Sequence, residues 1–109
     1  MNPLQTNRNF VIPIIGQGVT MGVGSDCYPC TIVEISNNNK KIVIQMDEAE
    51  PAEGFKYFGN QVYNITPCPT GIKSIWTWRK SGVWVRFRMA KSVGYLSMNG
   101  RRKYTDPSF

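Results

Sequence analysis

The chain has 109 residues, enough for one compact domain and too few for two, and its 41% hydrophobic and 18% charged residues mark a globular protein with a real core. The formal charge of +6 points to an anionic partner. No histidine is present, which excludes Ser-His-Asp and Cys-His nucleophile systems, His-ligated zinc or haem and any histidine pH switch within one chain.

Residues 1–15 read as an N-terminal arm or first strand of a single β-rich domain, 1–109. The run 7–15 is too short and too Pro-interrupted for a signal-peptide core, and no apolar run approaches the roughly 20 residues that span a bilayer. No membrane partner is expected, and the expected location is the cytoplasm in which the chain is made. Residues 16–26 carry four glycines in nine positions, Gly16, Gly18, Gly22 and Gly24. They read as an irregular loop able to bring backbone N–H groups and the Thr20 and Ser25 hydroxyls to a ligand, or as a set of turns and bulges. A P-loop or dinucleotide fingerprint would need a Gly-Lys-Ser/Thr ending or a following helix, and neither is present.

Residues 31–35 and 41–46 are β-branched runs flanking the polar loop 36–40, which predicts a hairpin with Ile42, Ile44 and Met46 on the core face. Residues 47–54 are acidic and breaker-rich and read as an exposed loop. Residues 61–66 read as a strand stopped by Pro67-Cys68-Pro69-Thr70-Gly71. Residues 75–79 and 83–88 form a second hairpin about the turn 80–82. Its return strand should place Val83, Val85 and Phe87 on one face, and Trp84, Arg86 and Arg88 on the other. That second face is either a stacking and phosphate-binding surface or an ordinary solvated one. Residues 94–98 and 101–104 flank Asn99-Gly100, a strong signal for a third hairpin. Three hairpins without an amphipathic helix predict an all-β, mainly antiparallel small barrel or roll with at most short helical turns.

Charge divides the chain. Residues 1–55 hold three cations and six acids, a net −3, whereas residues 56–109 hold ten cations and one acid, a net +9, together with ten of the thirteen aromatics. Arginine pairs with phosphate oxygens in a bidentate manner and aromatics stack on bases, so this half suits a ligand carrying both. Basic residues on solvated strand faces over an aromatic core would give the same composition.

Cys27-Tyr28-Pro29-Cys30 has redox or metal spacing. The second cysteine runs into a strand rather than a helix, and a zinc site would need Cys68 and a fourth ligand such as Asp26 or a group from another chain. An odd number of cysteines argues against a secreted disulfide framework. The acids cluster in a loop that looks solvated, which leaves little basis for general acid-base catalysis. A binding protein, without catalytic residues, metal or cofactor, is the better expectation.

Gly18-Val19-Thr20, the run Ser25-Asp26-Cys27-Tyr28-Pro29-Cys30-Thr31-Ile32-Val33-Glu34-Ile35 and Gln45-Met46-Asp47 resemble a family of small bacteriophage proteins. So, in order, do Tyr63 before the 67–71 turn, Arg79-Lys80-Ser81-Gly82-Val83-Trp84, and the closing Gly100-Arg101-Arg102-Lys103-Tyr104-Thr105-Asp106-Pro107-Ser108-Phe109. The functional match is to the Thoeris anti-defence sponges, which sequester cyclic ADP-ribose-type signals and, in some members, cyclic oligonucleotides. The resemblance implies immune evasion in the host bacterial cytoplasm by a mainly β homo-oligomer, a dimer or higher, with pockets where protomers meet. It implies phosphate contacts from Arg101 or Arg102, and looser contacts from Thr20, from an aromatic such as Tyr63 or Trp84, and from Thr70. Arg86 joins this set through the strand face it shares with Trp84. The sequence departs from the family pattern at Cys27, a position commonly Arg, and at Cys68 and Thr70 within the turn. Two other readings stand beside this one: a single-stranded nucleic-acid-binding β-barrel, and a phage virion structural or decoration protein.

Overall fold

The computed structural model describes residues 10–87 and 94–107. Eight strands follow one another: β1 (Gly18–Val23), β2 (Asp26–Ser36), β3 (Lys41–Met46), β4 (Glu48–Pro51), β5 (Tyr63–Thr66), β6 (Lys73–Trp78), β7 (Trp84–Arg86) and β8 (Tyr95–Ser97). Six form one antiparallel sheet in the order β7-β6-β3-β2-β1-β8, curled into a nearly closed barrel with its two edge strands facing one another. β4 and β5 pair as a separate ribbon. The expectation of an all-β small barrel holds, and no helix occurs among the described residues.

The hairpin of β2 and β3 follows its sequence signal closely. Asn37, Asn38 and Asn39 all take positive φ, 53°, 55° and 69°, a conformation Asn tolerates better than other non-glycine residues. Ile42 and Ile44 are buried on the core face as expected, and Met46 packs against them partly buried. A bulge falls between Ile32, paired with Ile44, and Glu34, paired with Val43. The extra residue lets both Ile32 and Ile35 face the core although they stand three apart, which an unbroken strand would forbid.

Four expectations are corrected. The glycine-rich stretch is not an irregular loop: Gly18–Val23 is a regular strand, paired from Gly18↔Thr31 to Val23↔Asp26. Val19 and Met21 point into the core, so Gly18, Thr20 and Gly22 line the opposite face. The acidic stretch is largely exposed as expected but is not all loop, because Glu48–Pro51 pairs with Tyr63–Thr66. The third hairpin does not form: β8 pairs with β1 instead, and residues 99–107 leave it to cross β1 and β2, where Tyr104 bridges Cys27. Finally, the face of β7 that carries Trp84 is a core face. Trp84 stands opposite Trp78 and Arg86 opposite Trp76, and Trp84 is 6% exposed. Arg88 lies outside the described residues.

Trp76, Ile32, Ile42, Ile44, Val19 and Cys30 fill the barrel, and Phe10 closes one end by packing edge-on to Trp78 at 5.3 Å and tilted to Trp84 at 6.2 Å. The indole N–H of Trp76 donates to Ser74 Oγ at 2.9 Å, so its burial leaves no unpaired donor. Trp76→Ala should lower unfolding stability by about 3–5 kcal/mol, read from the midpoint of urea denaturation.

Candidate functional site

The crossing segment 99–107 builds the site. A strand face made of glycine, threonine and glycine has no bulk of its own, and the segment lies directly on it. A Cβ on Gly18 would stand 2.6 Å from Arg101 Nη1, and one on Gly22 would overlap the Tyr95 ring. Thr20 Oγ1 donates to the Gly100 carbonyl at 2.6 Å. Further along, Cys27 and Tyr104 exchange backbone hydrogen bonds at 2.8 and 3.1 Å, and the Asp106 N–H donates to Asp26 Oδ1 at 2.8 Å. Gln61 holds Thr105 at both ends of its amide, accepting from the Thr105 N–H and donating to its carbonyl. Gln17 fixes the start, with its side chain donating to Met98 O and accepting from the Ile14 N–H.

Arg101 is the strongest of these ties. Its Nε donates to Asp47 Oδ2 at 2.8 Å and its Nη2 to Thr31 Oγ1 at 2.9 Å, while Thr31 Oγ1 donates to Asp47 Oδ1 at 2.6 Å. The Asp47 side chain is fully buried. A buried carboxylate is tolerated only when a cation and hydrogen bonds replace its water, and here Arg101 and Thr31 do so. Arg101 is therefore committed to the fold.

Arg102, the next residue, faces the other way. It lines a cavity of about 280 Å³ with Thr20, Cys27, Tyr95, Ser97, Asn99 and Gly100. The Tyr104 ring lies 6.0 Å from its guanidinium, and among the described residues no carboxylate pairs with it. The Tyr95 hydroxyl sits 3.6 Å from Cys27 Sγ, and this contact, chiefly, holds the phenol above its ordinary pKa against the opposing pull of Arg102. A second cavity, about 350 Å³, lies in the seam between the two barrel edges and is walled by Trp78, Val83, Trp84, Leu96 and Met98. Tyr95, Ser97 and Asn99 line both. The two cavities are neighbours with a shared wall, one apolar and aromatic and the other polar, with Arg102 the one cation lining it among the described residues.

The predicted site residues divide accordingly. Thr20 and Arg102 line the polar cavity and Trp84 the adjoining aromatic one, although Trp84 offers an edge of a core ring rather than an open stacking face. Tyr63 stands apart on the ribbon, edge-on to Phe55 and donating to Gln61 Oε1 at 3.1 Å. Thr70 lies in the exposed 67–71 turn, its hydroxyl 3.4 Å from Cys68 Sγ. That turn is pinned by Gln45, which donates to the carbonyls of Pro69 and Gly71. Arg86, opposite Trp76 on β7, lines neither cavity. Tyr95, Asn99 and Trp78 line these cavities without having been named as site candidates from the sequence. The alternation of small residues at 18, 20 and 22 was the one available signal, since a face without side-chain bulk invites close approach.

Cys27 and Cys30 are three apart on one strand and so point to opposite faces: Cys27 lines the polar cavity, and Cys30 is in the core. Neither a dithiol nor a metal clamp can form from that pair without breaking the strand. No group of three His, Cys, Asp or Glu side chains suited to a metal occurs among the described residues.

This geometry has consequences for stability. Arg101→Ala should cost roughly 2–4 kcal/mol by stranding Asp47, while Arg102→Ala should leave the urea midpoint within error of wild type. Burial, reinforced by Asp47, raises the Cys30 thiol to about 12, against an opposing backbone hydrogen bond from Met21. Since the unfolded chain ionises this thiol near its ordinary value, stability should fall as pH rises from about 9 towards 12. The fall should be shallower in Cys30→Ala, measured as urea midpoint against pH. Compared with protein-family models, with curated proteins and with solved structures, the chain matches none.

Proposed function

We propose that the protein is a non-enzymatic sponge that binds and sequesters a cyclic nucleotide signal, a cyclic ADP-ribose isomer or a cyclic oligonucleotide, as a phage anti-defence protein in the host cytoplasm. The observation that carries this reading is the pair of adjoining cavities at β8. The aromatic one, walled by Trp78 and Trp84, suits a base, and the polar one places the Arg102 guanidinium where a phosphate oxygen can pair with it. Tyr95, half exposed between them, offers a ring to stack against and a neutral phenol to donate. The phage and sponge parts rest on the resemblance of the Ser-Asp-x-Tyr-Pro and Asp-Pro-Ser-Phe segments.

Holding rather than converting the ligand agrees with the groups at hand. Neither cavity is lined by a carboxylate, and the Thr20 hydroxyl already donates to a carbonyl rather than to a base that could activate it. Sequestering a signal at low micromolar level needs about −8 kcal/mol, within reach of a site that encloses most of a small ligand. Self-association belongs to the same reading, because among the described residues one chain supplies a single cation to the two cavities and leaves the seam open. The single-stranded nucleic-acid reading is weakened by the burial of Trp76 and Trp84, which removes the platform it requires.

A thermal-shift and mass-spectrometry screen against cyclic ADP-ribose isomers and cyclic di- and trinucleotides tests the proposal. At least one should stabilise the protein and be recovered intact after denaturation. Arg102→Ala should weaken that binding by roughly tenfold or more at unchanged melting temperature. Stabilisation by none of them, or recovery of cleaved products, would overturn the reading.

A further inference from the structure

Asn99-Gly100 closes no hairpin and stands instead on the wall of the proposed ligand site, Asn99 lining both cavities and Gly100 the polar one. It is the only place in the chain where glycine follows asparagine. That order matters chemically, because a glycine nitrogen, with no Cβ beside it, can reach the carbonyl carbon of the preceding side chain and close a five-membered ring. Asn37, Asn38 and Asn39 also sit in a turn, but each is followed by a residue whose Cβ hinders that closure. The surroundings of Asn99 leave the reacting atoms free. Its side chain is exposed, and neither its amide nor the Gly100 N–H has a hydrogen-bond partner among the described residues. A Cβ on Gly100 would meet nothing within 4 Å, so no packed neighbour opposes the backbone movement that ring closure needs. The ties nearby hold other atoms: Thr20 Oγ1 donates to the Gly100 carbonyl at 2.6 Å, and the Asn99 N–H donates to Ser97 Oγ at 3.3 Å. They keep the pair on the cavity wall.

From these features we infer that Asn99 is a site of spontaneous deamidation, a modification that neutralises the polar cavity. The Gly100 nitrogen bonds to Asn99 Cγ and gives up its proton to water, the Cγ–Nδ2 bond breaks, and the side-chain nitrogen leaves as ammonia. Water then opens the cyclic imide at one of its two carbonyls, which yields an aspartyl or an isoaspartyl link and, either way, one new carboxylate. Nothing is oxidised or reduced, and water is the only co-reactant. Before the reaction Arg102 is the one cation lining the cavity among the described residues, and afterwards a carboxylate shares its wall. A phosphate must then displace a fixed anion to reach the guanidinium. A freshly made chain thus offers a free cation and an aged one a neutralised pair. The loss of phosphate affinity rests on the proposed function, whereas the deamidation does not.

Incubating the purified protein at about pH 8 for roughly ten days, then mapping its peptides by mass, tests the inference. At least about half of Asn99 should convert, read as a gain of about 1 Da in the peptide that carries it and about 3 Da when the solvent is heavy-oxygen water. Asn99→Gln, whose ring would need a sixth member, should show no such gain. In Asn99→Asp the new carboxyl, followed by NMR, should bind its proton at least about threefold more weakly than in Asn99→Asp/Arg102→Ala. An intact Asn99, the same gain in Asn99→Gln, or equal titration with and without Arg102 would overturn it. Deamidation and pairing as expected in a protein that binds no cyclic nucleotide would overturn the sponge reading and leave this one standing.

Discussion

The buried carboxylate of Asp47 sets the terms for the rest of this structure. It sits at the end of β3, where the ladder to β2 gives out, and its own N–H still bonds the Pro29 carbonyl. A proline is tolerated there because its nitrogen faces the side on which β3 has ended. With no water around it, the carboxylate requires a cation, and the cation comes from Arg101, 54 residues away in sequence. Bringing Arg101 to Asp47 forces residues 99–107 across the small-residue face of β1 and β2. That crossing forms the walls of the polar cavity and turns Arg102 towards it.

Two adjacent arginines therefore do unlike work. Composition and motif treat them alike, as members of one basic run beside an aromatic-rich half. The tertiary contacts separate them: one is neutralised and hydrogen-bonded in the fold, and the other keeps a guanidinium available to a ligand. The same logic separates the tryptophans. Trp76 is wholly core, whereas Trp78 and Trp84 are core rings whose edges wall the seam where the barrel does not close. A barrel that closed by hydrogen bonds between β7 and β8 would have no such seam and no aromatic cavity.

Sequence signals are legible where local physics decides the outcome. The β2–β3 hairpin has β-branched runs on both sides of a loop whose three asparagines accept left-handed backbone, so its strands, turn and core face can all be read from neighbouring residues. Asn99-Gly100 shows the opposite case. It is a sound turn signal, and Gly100 does take φ +100°, but the β1 edge competes for β8 and the buried charge of Asp47 competes for residues 101–107. The glycine-rich stretch departs from its signal for a related reason. Its low intrinsic strand propensity is overcome by pairing with β2 and β8 on both sides, and Gly18 and Gly22 are required by the Arg101 and Tyr95 side chains that lie on them, whereas Gly16 and Gly24 take positive φ.

The sequence by itself determined an all-β domain, the absence of histidine chemistry, the segregation of charge and aromatics into the second half, and the hairpins whose turns are specified by neighbouring residues. These depend on composition and on interactions a few residues long. Only the tertiary structure decided which side of β1 is core, that Cys27 and Cys30 are parted by the sheet, and that Arg101 and Arg102 face different surroundings. It also placed Tyr95, Asn99 and Trp78 together with Thr20. The reason is that each of these depends on contacts between residues dozens of positions apart. Burying one charge fixes where a distant segment must lie, and no short window of sequence contains both ends of that constraint.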